Sequence, residues 1–322
     1  MKDRHDRQIG YLRLSLTAAC QMRCTYCRPG WLRGGRDANR LTASEIDSVV
    51  RHLVSHHGLS KVRLTGGDPT ARADLIEIIT RLAGIDGIDD LAMTTNGLSL
   101  ARFAADYAAA GLGRVNISLD SLDPATFERM TGIDGLALVR RGIDAAIDAG
   151  LKPIRLNTVV LAGENDTELP DLVRFAAERG LEIRFIELMP MGPLANQWVE
   201  RYVPESTMRR RLEPIVTHWH PIAQSHDSAR RFLLTLDDHT QVTVGFITPM
   251  SCNFCAACNR LRLTADGNIY PCLMDQPRGS FLPAVRPAFD ADAFDHLLAK
   301  ALDAKAPEHP PRGVAVMTTI GG

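Results

Sequence analysis

One pattern constrains this chain more than any other: short apolar or alternating runs alternate with apolar stripes at helical spacing, from residue 11 to about residue 190. Residues 11–16 put Leu12, Leu14 and Leu16 on one face and Arg13 and Ser15 on the other, as a half-buried strand does. Thr42 and Glu45 then have capping-box spacing, and Ile46, Val49, Val50, Leu53 and Val54 recur at helical intervals until Gly58 closes the segment. The same unit recurs as strand 61–64 with helix 75–83, strand 90–94 with helix 101–110, and strand 114–119 with helix 136–149. Strand 154–161 with helix 168–178 and a last strand, 182–188, complete the series. Such alternation requires a mainly parallel sheet, either doubly wound or an incomplete βα barrel, and periodicity does not choose between them.

In both architectures ligands gather at the carboxyl ends of the strands. Here those ends carry a cysteine loop, then Thr65-Gly66-Gly67-Asp68-Pro69, then Thr94-Thr95-Asn96-Gly97, then Ser118 and Asp120. A single polar end is an ordinary turn, but a succession of them on one rim reads as a site. Beyond residue 190 the rhythm gives way to Pro-rich loops, a short basic helix at 208–212, a hairpin of 232–236 with 242–247, and paired segments 261–264 and 268–270 around Asp266-Gly267. The 322 residues suit one large domain, 1–190, followed by a smaller region, 191–322.

Composition narrows the function. No apolar run approaches the roughly 20 residues that span a bilayer, and the charged start offers no signal peptide, so a cytoplasmic protein without a membrane partner is expected. A net charge of -1 argues against nucleic acid as partner. The seven cysteines form two groups, Cys20, Cys24 and Cys27, then Cys252, Cys255, Cys258 and Cys272. In so long a chain without a signal, this clustering points to metal ligands rather than disulfides. The first group, C-x3-C-x2-C, has no fourth cysteine nearby, which suits a four-iron cluster with one open iron better than closed zinc. The second group could hold a cluster on three thiolates or close a four-thiolate zinc site, and spacing leaves both open.

Together, YLRLSLTAAC, C-x3-C-x2-C, the second cysteine group, NRLRLTADG and the closing IGG resemble the GTP 3',8-cyclase family of molybdenum-cofactor biosynthesis, within the radical S-adenosylmethionine (SAM) superfamily, over essentially the whole chain. The resemblance implies an α/β fold, an incomplete (βα)6 TIM-type barrel. The C-terminal region would close the barrel and carry a second cluster. It implies two [4Fe-4S] clusters, on Cys20, Cys24 and Cys27 and on Cys255, Cys258 and Cys272, leaving Cys252 spare. SAM contacts carry over to Tyr26, Gly67, Ser118 and Met189. GTP contacts carry over to Arg13, Arg63, Thr94, Arg155, Arg260 and Arg262, and catalytic roles to Arg260, Arg262, Gly321 and Gly322. Three positions depart from the family pattern: GGDP in place of GGEP, Cys27-Arg28-Pro29 in place of a methionine after the cysteine, and Arg155 in place of a phosphate-binding lysine.

The implied reaction is reductive cleavage of SAM to a 5'-deoxyadenosyl radical, which removes hydrogen from ribose C3' of GTP. The carbon radical then attacks C8 of guanine, and an electron and a proton complete 3',8-cyclo-7,8-dihydro-GTP. Expected partners are GTP, an external electron donor, a second copy of the chain in a homodimer, and a cyclic pyranopterin monophosphate synthase that takes the product. The competing readings are another radical SAM enzyme with an auxiliary cluster, acting on a different nucleotide or a peptide, and a non-enzymatic zinc module.

Overall fold

All six expected strands form, and their order decides between the two architectures. In the computed structural model, which describes residues 1–27, 39–223, 227–313 and 317–321, they are β1 (Tyr11–Ser15), β2 (Lys61–Thr65), β3 (Asp90–Thr95), β4 (Arg114–Ser118), β5 (Arg155–Val160) and β6 (Glu182–Glu187). Each lies parallel to the next in sequence order. A doubly wound sheet would reverse its order at a switch point; an uninterrupted progression is the incomplete barrel.

The rest of the chain extends this sheet at both edges. β7 (Val216–Pro221), β8 (Ala229–Leu236) and β9 (Gln241–Ile247) form an antiparallel ribbon whose last strand runs parallel to β6. At the other edge β10 (Arg260–Leu263) runs parallel to β1 and pairs antiparallel with β11 (Ile269–Tyr270). The eleven strands run β11-β10-β1-β2-β3-β4-β5-β6-β9-β8-β7, so the sheet is extended rather than closed. Arg28, Pro29 and Gly322 fall outside the described residues.

The apolar phase of the barrel strands is buried, with Leu14, Leu64, Met93, Ile117, Leu156 and Ile183 fully or almost fully covered. Helix stripes such as Ile46, Val49, Val50 and Leu53 supply the other side of that core. The capping box exists as expected: Glu45 N donates to Thr42 Oγ1 at 3.2 Å, and Thr42 N donates to Glu45 Oε2 at 2.7 Å. Gly58 ends that helix with φ of 67°, a conformation open to glycine. The opposite, polar phase faces the barrel interior, and register aligns it. Arg13 sits beside Arg63 on one side and Arg262 on the other, while Tyr11 sits beside Arg260, so guanidinium groups form a row across β10, β1 and β2.

Candidate active site

The first cysteine loop leaves β1 and is fixed by the turn after β2. Gly67 N donates to Thr17 O at 2.6 Å and Asp68 N to Ala19 O at 2.7 Å. A Cβ on Gly67 would collide with Ala19 O and sit 2.6 Å from Ala18 O, so this approach requires glycine. Asp68 is spent on structure. One carboxylate oxygen accepts from Thr70 N at 2.9 Å and the other from Asn96 N at 2.6 Å, with Thr95 Oγ1 also donating at 2.9 Å. Arg72 clamps both flanks of the loop, donating to Leu16 O at 3.0 Å and Leu41 O at 2.7 Å.

Cys20, Cys24 and Cys27 line a cavity of about 200 Å³ together with Gly67, Ser118, Asp120, Tyr26 and Met189. Tyr26 donates to Asp120 Oδ2 at 2.6 Å. Burial raises the Asp120 carboxyl to about 6, although the Tyr26 hydroxyl and the Val159 N–H pull against it. Burial, reinforced by Asp120 and the neighbouring thiols, also pushes Cys24 well above the ordinary thiol range.

A second cavity of about 200 Å³ holds Cys255, Cys258 and Cys272 together with Arg13, Arg63, Arg260 and Arg262. The two cavities share Thr94, Asn157, Ile186, Met189 and Leu273, so they meet across one thin wall. Burial and the Arg262 charge lower Arg13 to about 9; burial lowers Arg63 to about 10; burial with the Arg260 charge lowers Arg262 to about 10. Cys258 moves oppositely for a thiol: burial raises it, but Arg260 and Lys305 bring it down to about 6. Among the described residues, Arg63 Nε, Thr94 Oγ1 and Asn157 Oδ1 are buried without a hydrogen-bond partner, so this interior is built to receive polar groups.

Two sequence expectations find different surroundings. Arg155 lines neither cavity; it lies at the first position of β5 and donates Nε to Glu182 Oε2 at 3.2 Å. Cys252 is exposed and stands outside the cavity that holds the other three cysteines of its group. Gly321 does reach the interior, where its carbonyl accepts from Arg262 at 2.5 Å and Arg13 at 3.2 Å.

Other lining residues had gone unrecognised. Arg184 follows the same alternation that exposed Arg13, and it lines the second cavity in an ion pair with Asp227 at 2.6 Å. Lys305, which is not in the cavity wall but supports it from behind, had no local signal. It reaches Cys258 because the chain after the helix Ala291–Asp303 returns past β10, where its Nζ lies 3.6 Å from Cys258 Sγ and donates to the Arg260 carbonyl at 3.0 Å.

Cys20, Cys24 and Cys27 share one cavity, as three thiolates that hold a four-iron cluster with an open iron would. Among the described residues the only set of His, Cys, Asp or Glu donors lying within 4.8 Å of one another is His52, His57 and Asp295.

Residues 14–176 match the Radical SAM superfamily, and residues 181–311 match the family described as Molybdenum Cofactor Synthesis C. A barrel of this order with a three-cysteine loop after its first strand is thus a radical SAM protein, a class that carries an iron–sulfur cluster and uses SAM. Among relatives, the chain is 39% identical to a GTP 3',8-cyclase of Moorella thermoacetica over all of both chains. It is 38% identical to one of Alkaliphilus oremlandii, covering 96% of this chain and 94% of that one. It is 44% identical to GTP 3',8-cyclase 1 of Pseudomonas aeruginosa, covering 84% and 82%. In fold it resembles Streptococcus suis SuiB solved with precursor peptide SuiA, with a TM-score of 0.65 at 15% identity over 94% of this chain and 67% of that one. The chain belongs to the GTP 3',8-cyclase family. No helix among the described residues is long and apolar enough to cross a membrane.

Proposed function

We propose that this chain converts GTP to (8S)-3',8-cyclo-7,8-dihydroguanosine 5'-triphosphate, the first step toward molybdopterin, in the cytoplasm and with an external electron donor. The observation that carries the proposal is the pairing of cavities: one walled by Cys20, Cys24 and Cys27, the other by Cys255, Cys258, Cys272 and a row of buried arginines, meeting at Thr94 and Asn157. When bound, a [4Fe-4S] cluster on the first three thiolates supplies the electron that cleaves SAM to methionine and a 5'-deoxyadenosyl radical. Tyr26, Gly67, Ser118 and Met189 surround the SAM side of the wall. Arg13, Arg63, Arg260 and Arg262 surround the side assigned to GTP. A second [4Fe-4S] cluster would be held by Cys255, Cys258 and Cys272, in the cavity assigned to GTP.

The arginines supply what a nucleoside triphosphate needs. A ligand bringing about four negative charges is held best by guanidinium forks, which donate in pairs to phosphate oxygens. Even lowered to about 9 and about 10, Arg13 and Arg262 stay cationic at neutral pH, and entering phosphates would relieve their mutual repulsion and shift them back up. Thr94, whose hydroxyl is buried without a partner, stands where the two cavities meet and can orient the ribose toward the SAM side. The apolar side chains of Ile186, Leu273 and Met189, half-buried where the two cavities meet, would help exclude water from the reacting carbon once both ligands are bound.

Anaerobic incubation of the reconstituted chain with SAM, a low-potential reductant and GTP tests this reading. The expected products are 5'-deoxyadenosine, methionine and a cyclised nucleotide of the mass of GTP. Cys24→Ala should abolish SAM cleavage. Deoxyadenosine formed without any cyclised nucleotide would instead favour a relative that acts on another substrate.

A further inference from the structure

Away from both cavities, two helices distant in sequence meet through three metal-ligating side chains. His52 and His57 lie on the helix Ala43–His57, and Asp295 on the helix Ala291–Asp303. His52 Nε2 is 2.8 Å and His57 Nε2 2.7 Å from the same oxygen, Asp295 Oδ1, and the three donors lie within 4.8 Å of one another. None of the three lines either cysteine cavity. As a hydrogen-bonded clip the arrangement is uneconomical, because two imidazoles share one acceptor while the second carboxylate oxygen takes neither.

The surroundings fix the ligands in advance. His52 is buried, stacked on His56 with ring centroids 4.5 Å apart and edge-on to Phe294 at 5.3 Å, so its ring has little freedom to turn. His57 Nε2 points the same way from the last helical residue, and the Met1 amino group donates to its carbonyl at 2.5 Å. The Asp295 side chain keeps 42% of its surface exposed, which leaves an approach for an ion and room for a water ligand. Two neutral imidazoles and a carboxylate form the donor set of zinc-class ions that keep a fourth position open. Metal bonds of about 2.0–2.1 Å in a tetrahedron separate their donors by about 3.3 Å, so a small opening of the present clip accommodates one ion.

We propose that His52, His57 and Asp295 form a zinc-class divalent-cation site that staples the first barrel helix to the helix Ala291–Asp303, distinct from the cysteine groups. An ion there ties together segments more than two hundred residues apart, and binding only the folded chain raises its thermal stability with ion concentration.

The test uses the full chain with its iron–sulfur clusters reconstituted, so that the thiols are occupied. It is dialysed against zinc chloride, then metal-analysed and examined by zinc-edge X-ray absorption. The expected result is one zinc per chain with a nitrogen and oxygen shell and no sulfur neighbour, and a melting temperature that rises with zinc. Asp295→Asn and, separately, His57→Gln should weaken zinc binding about tenfold or more and abolish the thermal shift, with iron content and circular dichroism unchanged. Zinc surrounded by sulfur, or zinc binding and thermal shift unaltered in both variants, would overturn the site.

Discussion

Burial alone would keep the Cys258 thiol protonated, yet Arg260 and Lys305 bring it to about 6. Lys305 is held for this task by the carbonyls of Arg260 at 3.0 Å and Pro271 at 2.5 Å. Cys255, where burial prevails, is raised instead. In cluster-free protein, alkylation of Cys258 should therefore rise with a midpoint near pH 6, while Cys255 and Cys24 react only above the ordinary thiol range. Lys305→Met should move the Cys258 midpoint upward, as peptide mass analysis across pH will show; identical midpoints for all three thiols would refute the tuning. Arg155 poses a different question, since the family pattern expects a phosphate contact there and the structure gives it Glu182. Glu182 also holds Arg184 at 2.5 Å. Arg155→Ala should thus cost about 1–3 kcal/mol of stability, the loss of a hydrogen bond between charged groups. It should raise KM for GTP much less than Arg262→Ala does. Chemical denaturation and steady-state kinetics separate the two effects, and an equal rise in KM would restore Arg155 to the phosphate site.

Among elements, the turn after β2 decides whether the first cysteine loop can form. Gly67→Ala must displace Ala18 and Ala19, and overpacking of this kind costs about 1–3 kcal/mol when it can relax at all. The expected outcome is a folded barrel that loses the iron bound by Cys20, Cys24 and Cys27. Retention of full iron and SAM cleavage would show that the loop tolerates the methyl group. The same turn explains the departure at Asp68, whose short side chain is consumed by Thr70, Thr95 and Asn96. Most of this was legible in the sequence, because strands β1 to β6 and their helices are periodic and end in strong signals such as Gly58. The helix Pro124–Thr131 was missed: it is short, and its capping aspartate, Asp123, reads equally well as part of a turn. β7 was missed because its exposed residues carry no alternating apolar face. Local pattern also contains no record of which strand lies beside which. Thus the pairing of β10 with β1, which aligns Arg262 with Arg13, and the return of Lys305 to Cys258 became visible only in three dimensions.

At the scale of the whole molecule, a net charge of -1 conceals an uneven distribution: cations are gathered inside the barrel, where the last residues of the chain also arrive. Two glycines would ordinarily fray, since ordering them costs backbone entropy and returns no side-chain contact. Here Ile320 is fully buried beside Met191 and Met274, which anchors the segment just before Gly321. Gly321 has φ of 70°, and a side chain there would run into Thr65 Oγ1. Its carbonyl bridges Arg262 and Arg13, two of the arginines assigned to GTP, so this segment and the substrate draw on the same donors. Deleting Gly321 and Gly322 should consequently leave iron content unchanged, because no cysteine cavity loses a thiol. It should also leave most GTP affinity, because the arginines remain. Cyclised nucleotide should fall at least tenfold while 5'-deoxyadenosine continues to form, because the guanidinium groups lose the carbonyl that orients them during reaction, a charge-assisted contact worth about 1.5–3 kcal/mol. Arg262→Ala should show the same uncoupling together with weaker GTP binding. Quantifying deoxyadenosine and cyclised nucleotide in the same anaerobic reactions distinguishes these outcomes: equal ratios of the two products in wild-type and truncated chains would return the tail to an ordinary chain end.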